Sequence, residues 1–252
     1  TTEIYTLSLH DALPIYIVYR HLGDAFVGAS RQTLTLYRHY NPRLGVDQCF
    51  LSHLVADNDY FITRLNGKSI ERRFDVMFSG RIVPVKNPIF FAEVCAAIKA
   101  RLGRCRVLII GEGEEPLKNQ MRDVFEQNDV SYEFAGFIKH DYLPDYYAQA
   151  RLLLLPTSGD CWGVVINEAM IAGTPVITTE WTAAAGELVL HEGNGYVLPL
   201  DVNGWASAAC ALLADETRWK SFSVSAQETV RRFNYDNAAQ GILDAFAYLE
   251  KS

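Results

Sequence analysis

The residues best suited to chemistry lie in one short segment, PTSGDCWGVVINEAM, at positions 156–170. Its two acids, Asp160 and Glu168, are separated by seven residues, and Gly163 lies between them. An ionised carboxylate only accepts hydrogen bonds, so such acids select ligands that are rich in hydroxyl groups. Glu168 has apolar neighbours along a predicted helix, and an acid beside a buried stripe needs a hydrogen-bonding partner.

Two cations stand in a second segment, FSGRIVPVK, where Arg81 and Lys86 follow Gly80. A helix that begins after Gly163 would direct the positive end of its dipole to the same place. Two cations and a helix dipole together suit a diphosphate, and they would stabilise the charge that develops on it as a leaving group. Each residue taken alone has a simpler explanation, as a surface charge or a solvated acid.

The elements that must position these residues follow a regular rhythm from Phe74 onward. The strand-like runs FDVMFSG, CRVLII, SYEFAG, RLLLLP and TPVITT alternate with helical segments, and further helices are predicted near 203–214, 216–232 and 236–250. This alternation predicts an α/β fold, a doubly wound parallel sheet with helices on both faces. Before Phe74, residues 24–40 predict a strand that ends at Ser30 and then a helix, and residues 41–73 predict an irregular polar connector.

In such a sheet a ligand binds beyond the carboxyl ends of the strands. Glycine recurs at these ends, where it lets a backbone approach a ligand closely. The residues at the predicted strand ends are Gly80, Arg81, Lys86, Gly111, Glu112, Gly113, Gly136, Phe137, 156–163, Thr178 and Thr179.

Two other patterns indicate different ligands but fit them less well. Gly111 and Gly113 begin like a dinucleotide-binding fingerprint, with Glu133 near the position of its ribose acid, but Pro116 occupies the third glycine position. The Asp-x-Asp in VADNDYF, at 55–61, resembles the pattern with which metal-dependent sugar transferases hold a cation. A solvated turn is the favoured interpretation of these two acids, and we expect no metal site.

Composition and charge narrow the class of protein. The chain has 252 residues, 49% of them hydrophobic, and its formal net charge of −7 argues against a nucleic-acid or membrane-surface binder. No run approaches the ~18 apolar residues of a membrane span. Five cysteines without any CxxC pairing are typical of reduced thiols in a cytosolic protein.

The first fifteen residues, TTEIYTLSLHDALPI, are interpreted as an artefact rather than as natural sequence. Back-translated, they match a common sequencing-adapter oligonucleotide through every codon. Residues 1–15, including the His10-Asp11 pair, are therefore excluded from fold reasoning. We expect that the gene was cut upstream of Tyr16.

Five motifs, FSGRIVPVK, LIIGEG, FAGFI, DCWGVVINEAM and AGTPVI, together closely resemble the retaining nucleotide-sugar glycosyltransferases of family 4, the "group 1" family with the GT-B fold. The resemblance runs from about Phe74 to the C-terminus. It implies a hexosyltransferase that takes its sugar from a UDP- or GDP-linked donor and needs neither a metal nor a cofactor. The implied acceptor is a glycan or a lipid-linked molecule, as in the synthesis of cell-envelope polysaccharides.

The resemblance also implies a role for each acid. Glu168 would accept the hydroxyls of the nucleotide ribose. Asp160, together with backbone amides around Trp162, Gly163 and Val164, would hold hydroxyls of the donor sugar. The first acid is usually glutamate in the family, so Asp160 is one methylene shorter.

The remaining implied roles concern the diphosphate and the base. Arg81 and Lys86 match the pair that neutralises the diphosphate, and Gly80 lets the backbone come close. Phe137 and Ile138 fall where members of the family bracket the base. The implied donor-binding residues are Gly80, Arg81, Lys86, Gly111, Gly113, Phe137, Ile138, Asp160, Trp162, Gly163, Val164 and Glu168, and the implied catalytic residues are Asp160, Glu168, Arg81 and Lys86.

The GT-B fold has two Rossmann-like domains that face each other. Residues 16–73 would be a remnant of the N-terminal acceptor domain plus the connector, and residues 74–252 would be the C-terminal nucleotide-sugar-binding domain. The final helix, near 236–250, would pack back onto the N-terminal domain. We therefore expect a cytoplasmic fragment that binds donor only, from a full-length protein that associates peripherally with the inner face of the membrane.

Two alternatives remain open. One is a nucleotide-sugar-binding module without transfer activity, and the other is a GT-B-fold epimerase or phosphorylase with a catalytic histidine or a cofactor lysine. His140 and His191 are the candidate histidines, and both are interpreted as solvated loop residues. Slow hydrolysis of the donor would distinguish a weakened enzyme from a pure binder.

Overall fold

Strands and helices alternate along most of residues 23–251, the part of the chain that this computed structural model describes. The strands are β1 (Phe26–Gly28), β2 (Cys49–Leu51), β3 (Phe74–Ser79), β4 (Arg106–Ile110), β5 (Ser131–Gly136), β6 (Ala150–Leu155), β7 (Val176–Thr178) and β8 (Gly195–Val197). The helices are α1 (Arg31–Tyr40), α2 (Asn58–Leu65), α3 (Pro88–Leu102), α4 (Glu115–Gln127), α5 (Leu143–Tyr147), α6 (Val164–Ile171), α7 (Val202–Ala214), α8 (Glu216–Val230) and α9 (Tyr235–Leu249). Residues 1–15, with the adapter interpretation, lie outside the described residues.

Six of the strands form one parallel sheet in the order β5-β4-β3-β6-β7-β8. Met77 in β3 is in register with Leu108 on one side and with Leu153 on the other. The order reverses between β3 and β6, so the connections that leave these two strands run in opposite directions. A crevice opens at the carboxyl ends of two such strands, and it is the usual ligand site of doubly wound sheets. The predicted doubly wound parallel sheet is confirmed.

Alternate residues of each strand enter two different layers of the core. Val76 and Phe78 contact the layer that includes residues of α3, α4 and α7, whereas Met77 contacts the layer that includes residues of α5 and α6. Because helices cover both faces, both sides of a central strand are mostly apolar. This double burial explains the continuous apolar runs in the sequence.

Three short elements were not predicted from the sequence. Residues 41–73, expected to be irregular, contain β2 and α2, and α2 buries Phe61 completely. The strand β8, at the edge of the sheet, has only three residues and pairs with β7 alone. Ser30, expected to end a strand, instead caps α1 and accepts a hydrogen bond from the Thr33 N–H. Three-residue strands are too short to show a periodic pattern, so only pairing reveals them.

Residues 54–235 form one unit of the chain, and residues 23–53 together with residues 236–251 form another. In the second unit β1 and β2 pair in parallel, and α9 lies against β2. The Ser52 Oγ donates to the Ala238 carbonyl at 2.8 Å, and a Cβ on Gly241 would collide with the Leu51 carbonyl. The division into domains 16–73 and 74–252 stays a prediction. No helix within residues 23–251 is long and apolar enough to cross a membrane.

Candidate functional site

The loops that follow β3 and β4 run side by side at the carboxyl edge of the sheet. The Ile82 N–H donates to the Glu112 carbonyl at 2.9 Å. A Cβ on Gly111 would collide with the Gly80 carbonyl, and a Cβ on Gly113 would collide with the Ile82 carbonyl. The contact between the two loops therefore accounts for both glycines, without the dinucleotide fingerprint that they resemble.

Gly80 and Arg81 present a bare backbone and an exposed cation at the end of β3. Gly80 has a φ of 143°, which L side chains rarely adopt, and a Cβ there would have no neighbour within 4 Å. The Arg81 side chain is exposed, and its guanidinium forms no hydrogen bond or ion pair with other residues of the described part of the chain. An anion could therefore approach this strand end from the solvent side.

Lys86 and Asp160 form an ion pair at the reversal of strand order. The Lys86 Nζ lies 2.5 Å from the Asp160 Oδ2, and the two side chains are 15% and 22% exposed. The other carboxylate oxygen, Oδ1, accepts a hydrogen bond from the Trp162 N–H at 3.3 Å. The cation predicted for the diphosphate and the acid predicted for the sugar are thus brought together, and each is the other's partner.

The loop that carries Asp160 is fixed by contacts on both sides. The Asn87 Nδ2, at the start of α3, donates to the Pro156 carbonyl at 2.7 Å and to the Ser158 Oγ at 2.6 Å. On the other side the Asp160 N–H donates to the Trp181 carbonyl at 3.0 Å. The Asp160 carboxylate therefore stands on a well-held turn beside the end of β3.

Helix α6 begins immediately beyond this loop. Its capping residue, Gly163, has a φ of 84°, and no side chain within residues 23–251 caps the helix. Trp162 is fully buried, and its indole N–H donates to the Asn167 Oδ1 at 2.9 Å. The backbone amides at the start of α6, including that of Val164, are the part suited to an anion or a hydroxyl oxygen, whereas the indole of Trp162 belongs to the core.

Glu168 is held by a neutral hydroxyl rather than by a cation. The Tyr147 O–H donates to the Glu168 Oε2 at 2.6 Å, and the same hydroxyl lies 2.7 Å from the Ser79 Oγ. Burial raises the pKa of Glu168, while the hydrogen bond from Tyr147 and the charge of His140 act in the opposite direction. The partner that the sequence analysis required for this acid is therefore Tyr147.

The two residues expected at the base lie beyond β5, at the far edge of the sheet. Phe137 is 74% exposed, and its N–H donates to the Glu112 Oε1 at 3.3 Å. Ile138 is half-buried and packs against the core. Because β5 is separated from β3 by β4, these residues lie two strands away from the Lys86–Asp160 pair.

The residues considered for other chemistries have ordinary partners. His140 is exposed and stacks on Tyr60, with ring centroids 5.1 Å apart. The His191 Nδ1 accepts a hydrogen bond from the Val197 N–H at 3.2 Å. Asp57 caps α2, and residues 23–251 contain no group of three His, Cys, Asp or Glu side chains that could hold a metal ion.

The family described as "Glycosyl transferases group 1" matches residues 73–215, which is more than half of the chain. This protein belongs to that family. The 2-deoxystreptamine N-acetyl-D-glucosaminyltransferase of Niallia circulans is 29% identical over 178 residues, which cover 69% of this chain and 44% of that enzyme. The chain therefore spans less than half the length of this relative.

Two solved structures show the same fold. HepE from Anabaena, solved with UDP and glucose, matches with a TM-score of 0.70 and 19% identity, over 89% of this chain and 63% of its own. The C-terminal domain of LpcC, a group 1 glycosyltransferase of Francisella tularensis, matches with a TM-score of 0.61 and 19% identity. That match covers 71% of this chain and 99% of the LpcC domain, so the shared fold is a separately solved unit there.

Sequence reasoning about this group 1 glycosyltransferase missed several residues that shape the site. They are Asn87 and Tyr147, which lie outside the quoted motifs, and Ser79, which lies inside FSGRIVPVK but was given no role. Tyr147 stands in the segment DYYAQA, where two adjacent tyrosines give no sign of which one reaches Glu168. Ser79 ends an apolar strand, a position at which a small polar residue is unremarkable.

Proposed function

We propose that this chain carries the donor-binding half of a retaining glycosyltransferase, which takes a hexosyl group from a UDP- or GDP-linked sugar without a metal or cofactor. The observation that carries the proposal is the Lys86–Asp160 pair beside the uncapped start of α6, at the reversal of strand order. Arg81 stands exposed at the end of β3. Glu168 lies one to two turns into α6, where the neutral Tyr147 hydroxyl donates a hydrogen bond to it.

The arrangement suits a diphosphate that departs from a sugar. Negative charge develops on the leaving diphosphate as the glycosidic bond breaks, and positive groups fixed beforehand lower the energy of that state. Lys86, Arg81 and the amide-rich start of α6 supply such groups from three different chain segments. A metal ion is not required in this scheme, because the protein itself supplies the positive charge.

Asp160 and Lys86 have linked roles in this proposal. The donor diphosphate competes with Asp160 for the Lys86 ammonium, and the released carboxylate then accepts hydroxyls of the donor sugar. The shorter acid fits this exchange, because its Oδ1 stays on the Trp162 N–H while Oδ2 changes partner. Glu168 accepts the ribose hydroxyls, and Phe137 and Ile138 bracket the base.

The acceptor belongs to the same proposal, since the chain spans 44% of the Niallia circulans enzyme. That relative is named as an N-acetylglucosaminyltransferase, and HepE was solved with UDP and glucose. We infer by analogy a glycan or lipid-linked acceptor and a role in cell-envelope polysaccharide synthesis. The corresponding location is the cytoplasm, with peripheral association at the inner face of the membrane.

The first experiment is a thermal-shift series with UDP, GDP, ADP and NAD⁺ on the full chain, without added metal. A ligand that binds only the folded state raises its stability by about 2.7 kcal/mol at a hundredfold excess over Kd. We expect a shift with UDP or GDP that is lost in Glu168→Ala and kept in Glu93→Ala, an exposed acid on α3. A shift with NAD⁺ alone, or none with any nucleotide, would contradict the proposal.

A second assay separates an enzyme from a pure binder. Release of UDP or GDP from the corresponding nucleotide sugar, followed over hours, measures slow hydrolysis of the donor. We expect a slow release that disappears in Lys86→Ala. Binding without any release would favour the module that holds nucleotide sugars without transferring them.

A further inference from the structure

Tyr147 is a buried residue to which neither the motifs nor the proposed chemistry assigns a role. Its side chain is fully buried at the end of α5, and its ring lies 6.3 Å from that of Phe61. Its hydroxyl has two polar partners, the Glu168 Oε2 at 2.6 Å and the Ser79 Oγ at 2.7 Å. A phenylalanine at position 147 would fill the same space in the core, so packing does not explain the Tyr147 hydroxyl.

The chemistry of the three groups sets the direction of the hydrogen bonds. An ionised carboxylate only accepts, so the single hydrogen of Tyr147 goes to Glu168. The Tyr147 oxygen then accepts the hydrogen of Ser79. Both hydroxyls are buried, so the two donors in series form a dry relay that ends on the carboxylate.

The relay uses only one oxygen of Glu168. Among residues 23–251, the Glu168 Oε1 has no hydrogen-bond donor, whereas Oε2 receives the Tyr147 hydrogen. Glu168 is half-buried, so its carboxylate retains some access to solvent. One oxygen is thus held by the protein, and the other remains to accept a hydroxyl of a ligand.

We propose that Tyr147, supported by Ser79, is a positioning residue that keeps Glu168 ionised and leaves its Oε1 to accept the ribose hydroxyls of the nucleotide. This inference rests on the proposed function, because it takes Glu168 to be the ribose-binding acid. Ser79 immediately precedes Gly80 and Arg81, the residues proposed for the diphosphate. The relay therefore links that end of β3 to Glu168 on α6, the residue proposed for the ribose.

The pH dependence of binding reports on this role. The titratable groups that act on Glu168 within residues 23–251 are Tyr147 on α5 and His140 in the turn before it. Burial raises the pKa of Glu168 and the Tyr147 hydrogen bond lowers it. Without the tyrosine hydroxyl the carboxyl would take up a proton at higher pH and would lose an acceptor site for the ribose.

The test is calorimetric titration of the full chain and Tyr147→Phe with UDP and GDP, between pH 5.5 and 8.5. For whichever nucleotide binds, we expect Tyr147→Phe to weaken affinity by about tenfold at pH 7, as for loss of a hydrogen bond to a charged group. The loss should grow as the pH falls. Tyr146→Phe, a neighbouring half-buried tyrosine in the same helix, should bind like the parent chain.

The matching 2′,3′-dideoxynucleoside diphosphate separates positioning from a general structural effect. We expect Tyr147→Phe and the parent chain to bind this analogue equally, because it lacks the hydroxyls that Glu168 accepts. Equal weakening for both ligands, or no weakening at any pH, would overturn the inference. If Glu168→Ala still abolished binding in that case, the proposed function would stand.

Ser79→Ala keeps the inference testable if Tyr147→Phe does not fold. This change removes the donor behind Tyr147 and leaves the tyrosine in place. We expect a smaller loss for the nucleotide, about threefold, and again none for the dideoxy analogue. Failure of the parent chain to bind UDP or GDP at all would overturn both the inference and the proposed function.

Discussion

The two acids of the site are held in opposite ways. Asp160 stands on a loop, and a cation, Lys86, lies 2.5 Å from it. Glu168 stands inside a helix, and its partner is the neutral hydroxyl of Tyr147. An ion pair can be exchanged for another ion pair when an anion arrives, whereas a hydroxyl held in a dry relay stays in place. We infer that the first acid changes partner on donor binding and that the second is preorganised.

The two acids also differ in what selects their ligand, which is charge at Asp160 and the direction of the carboxylate at Glu168. At Asp160 the balance of charges decides which ligand group binds, since the carboxylate and a diphosphate compete for the same ammonium. At Glu168 no cation is shared, and the direction of the carboxylate decides what binds. Three variants test this contrast, from the largest expected effect to the smallest.

Lys86→Met should have the largest effect. Loss of the ammonium removes a charge-assisted hydrogen bond of about 1.5–3 kcal/mol and leaves Asp160 unpaired near the diphosphate. We expect the affinity for UDP or GDP to fall by about a hundredfold, measured by calorimetry. The double variant Lys86→Met/Asp160→Asn should recover part of this loss, because the repelling carboxylate is gone. A change in binding free energy of the double variant that equals the sum of the two single changes would show that the two residues act independently.

Asp160→Asn should have an intermediate effect that differs in size between two ligands. The amide keeps the Trp162 contact but no longer competes for Lys86. The nucleoside diphosphate should therefore bind about fivefold more tightly, because a largely buried ion pair no longer has to be broken. The matching nucleotide sugar should gain less, because a carboxylate acceptor for its hydroxyls is lost. The charge-preserving control Asp160→Glu should stay within about twofold for both ligands. Identical changes for the two ligands would argue against a sugar contact.

Glu168→Gln should have the smallest effect, and it concerns stability. Burial raises the pKa of Glu168, so its carboxyl binds a proton more readily in the folded chain than in the unfolded chain. As the pH rises above the ordinary pKa of a glutamate, ionisation of Glu168 therefore lowers the stability of the folded chain. The variant should therefore melt above the parent chain at pH 8, with a difference that shrinks toward pH 5. Glu93→Gln, an exposed control, should show no such trend. A constant difference across this range would point to packing instead of charge.

Much of the larger unit could be predicted from the sequence, because strands buried on both faces leave continuous apolar runs. RVLII and RLLLL became β4 and β6, and Gly111 directly follows the end of β4. The short strands β2 and β8 could not be predicted in this way. Each is three residues long and exists through pairing with a neighbour.

The same limit applies to the residues of the site. Arg81, Lys86, Asp160 and Glu168 stand out because charges and acids are conspicuous at the ends of apolar runs. Tyr147 and Ser79 do not stand out, since a hydroxyl in an apolar segment has no distinctive pattern. Their significance depends on what lies within 3 Å of them in space.

The sequence by itself determined the α/β class and the positions of the strand ends, along with the motifs that identify the family. These features depend on the periodicity of burial and on residue types at fixed spacing, which are local properties of the chain. Only the tertiary structure decided the partners of the two acids. Lys86 and Asp160 are 74 residues apart in the chain, and Ser79 and Tyr147 are 68 apart. Pairs at such separations meet only because β3 and β6 lie side by side, so packing and not local sequence selects the contact.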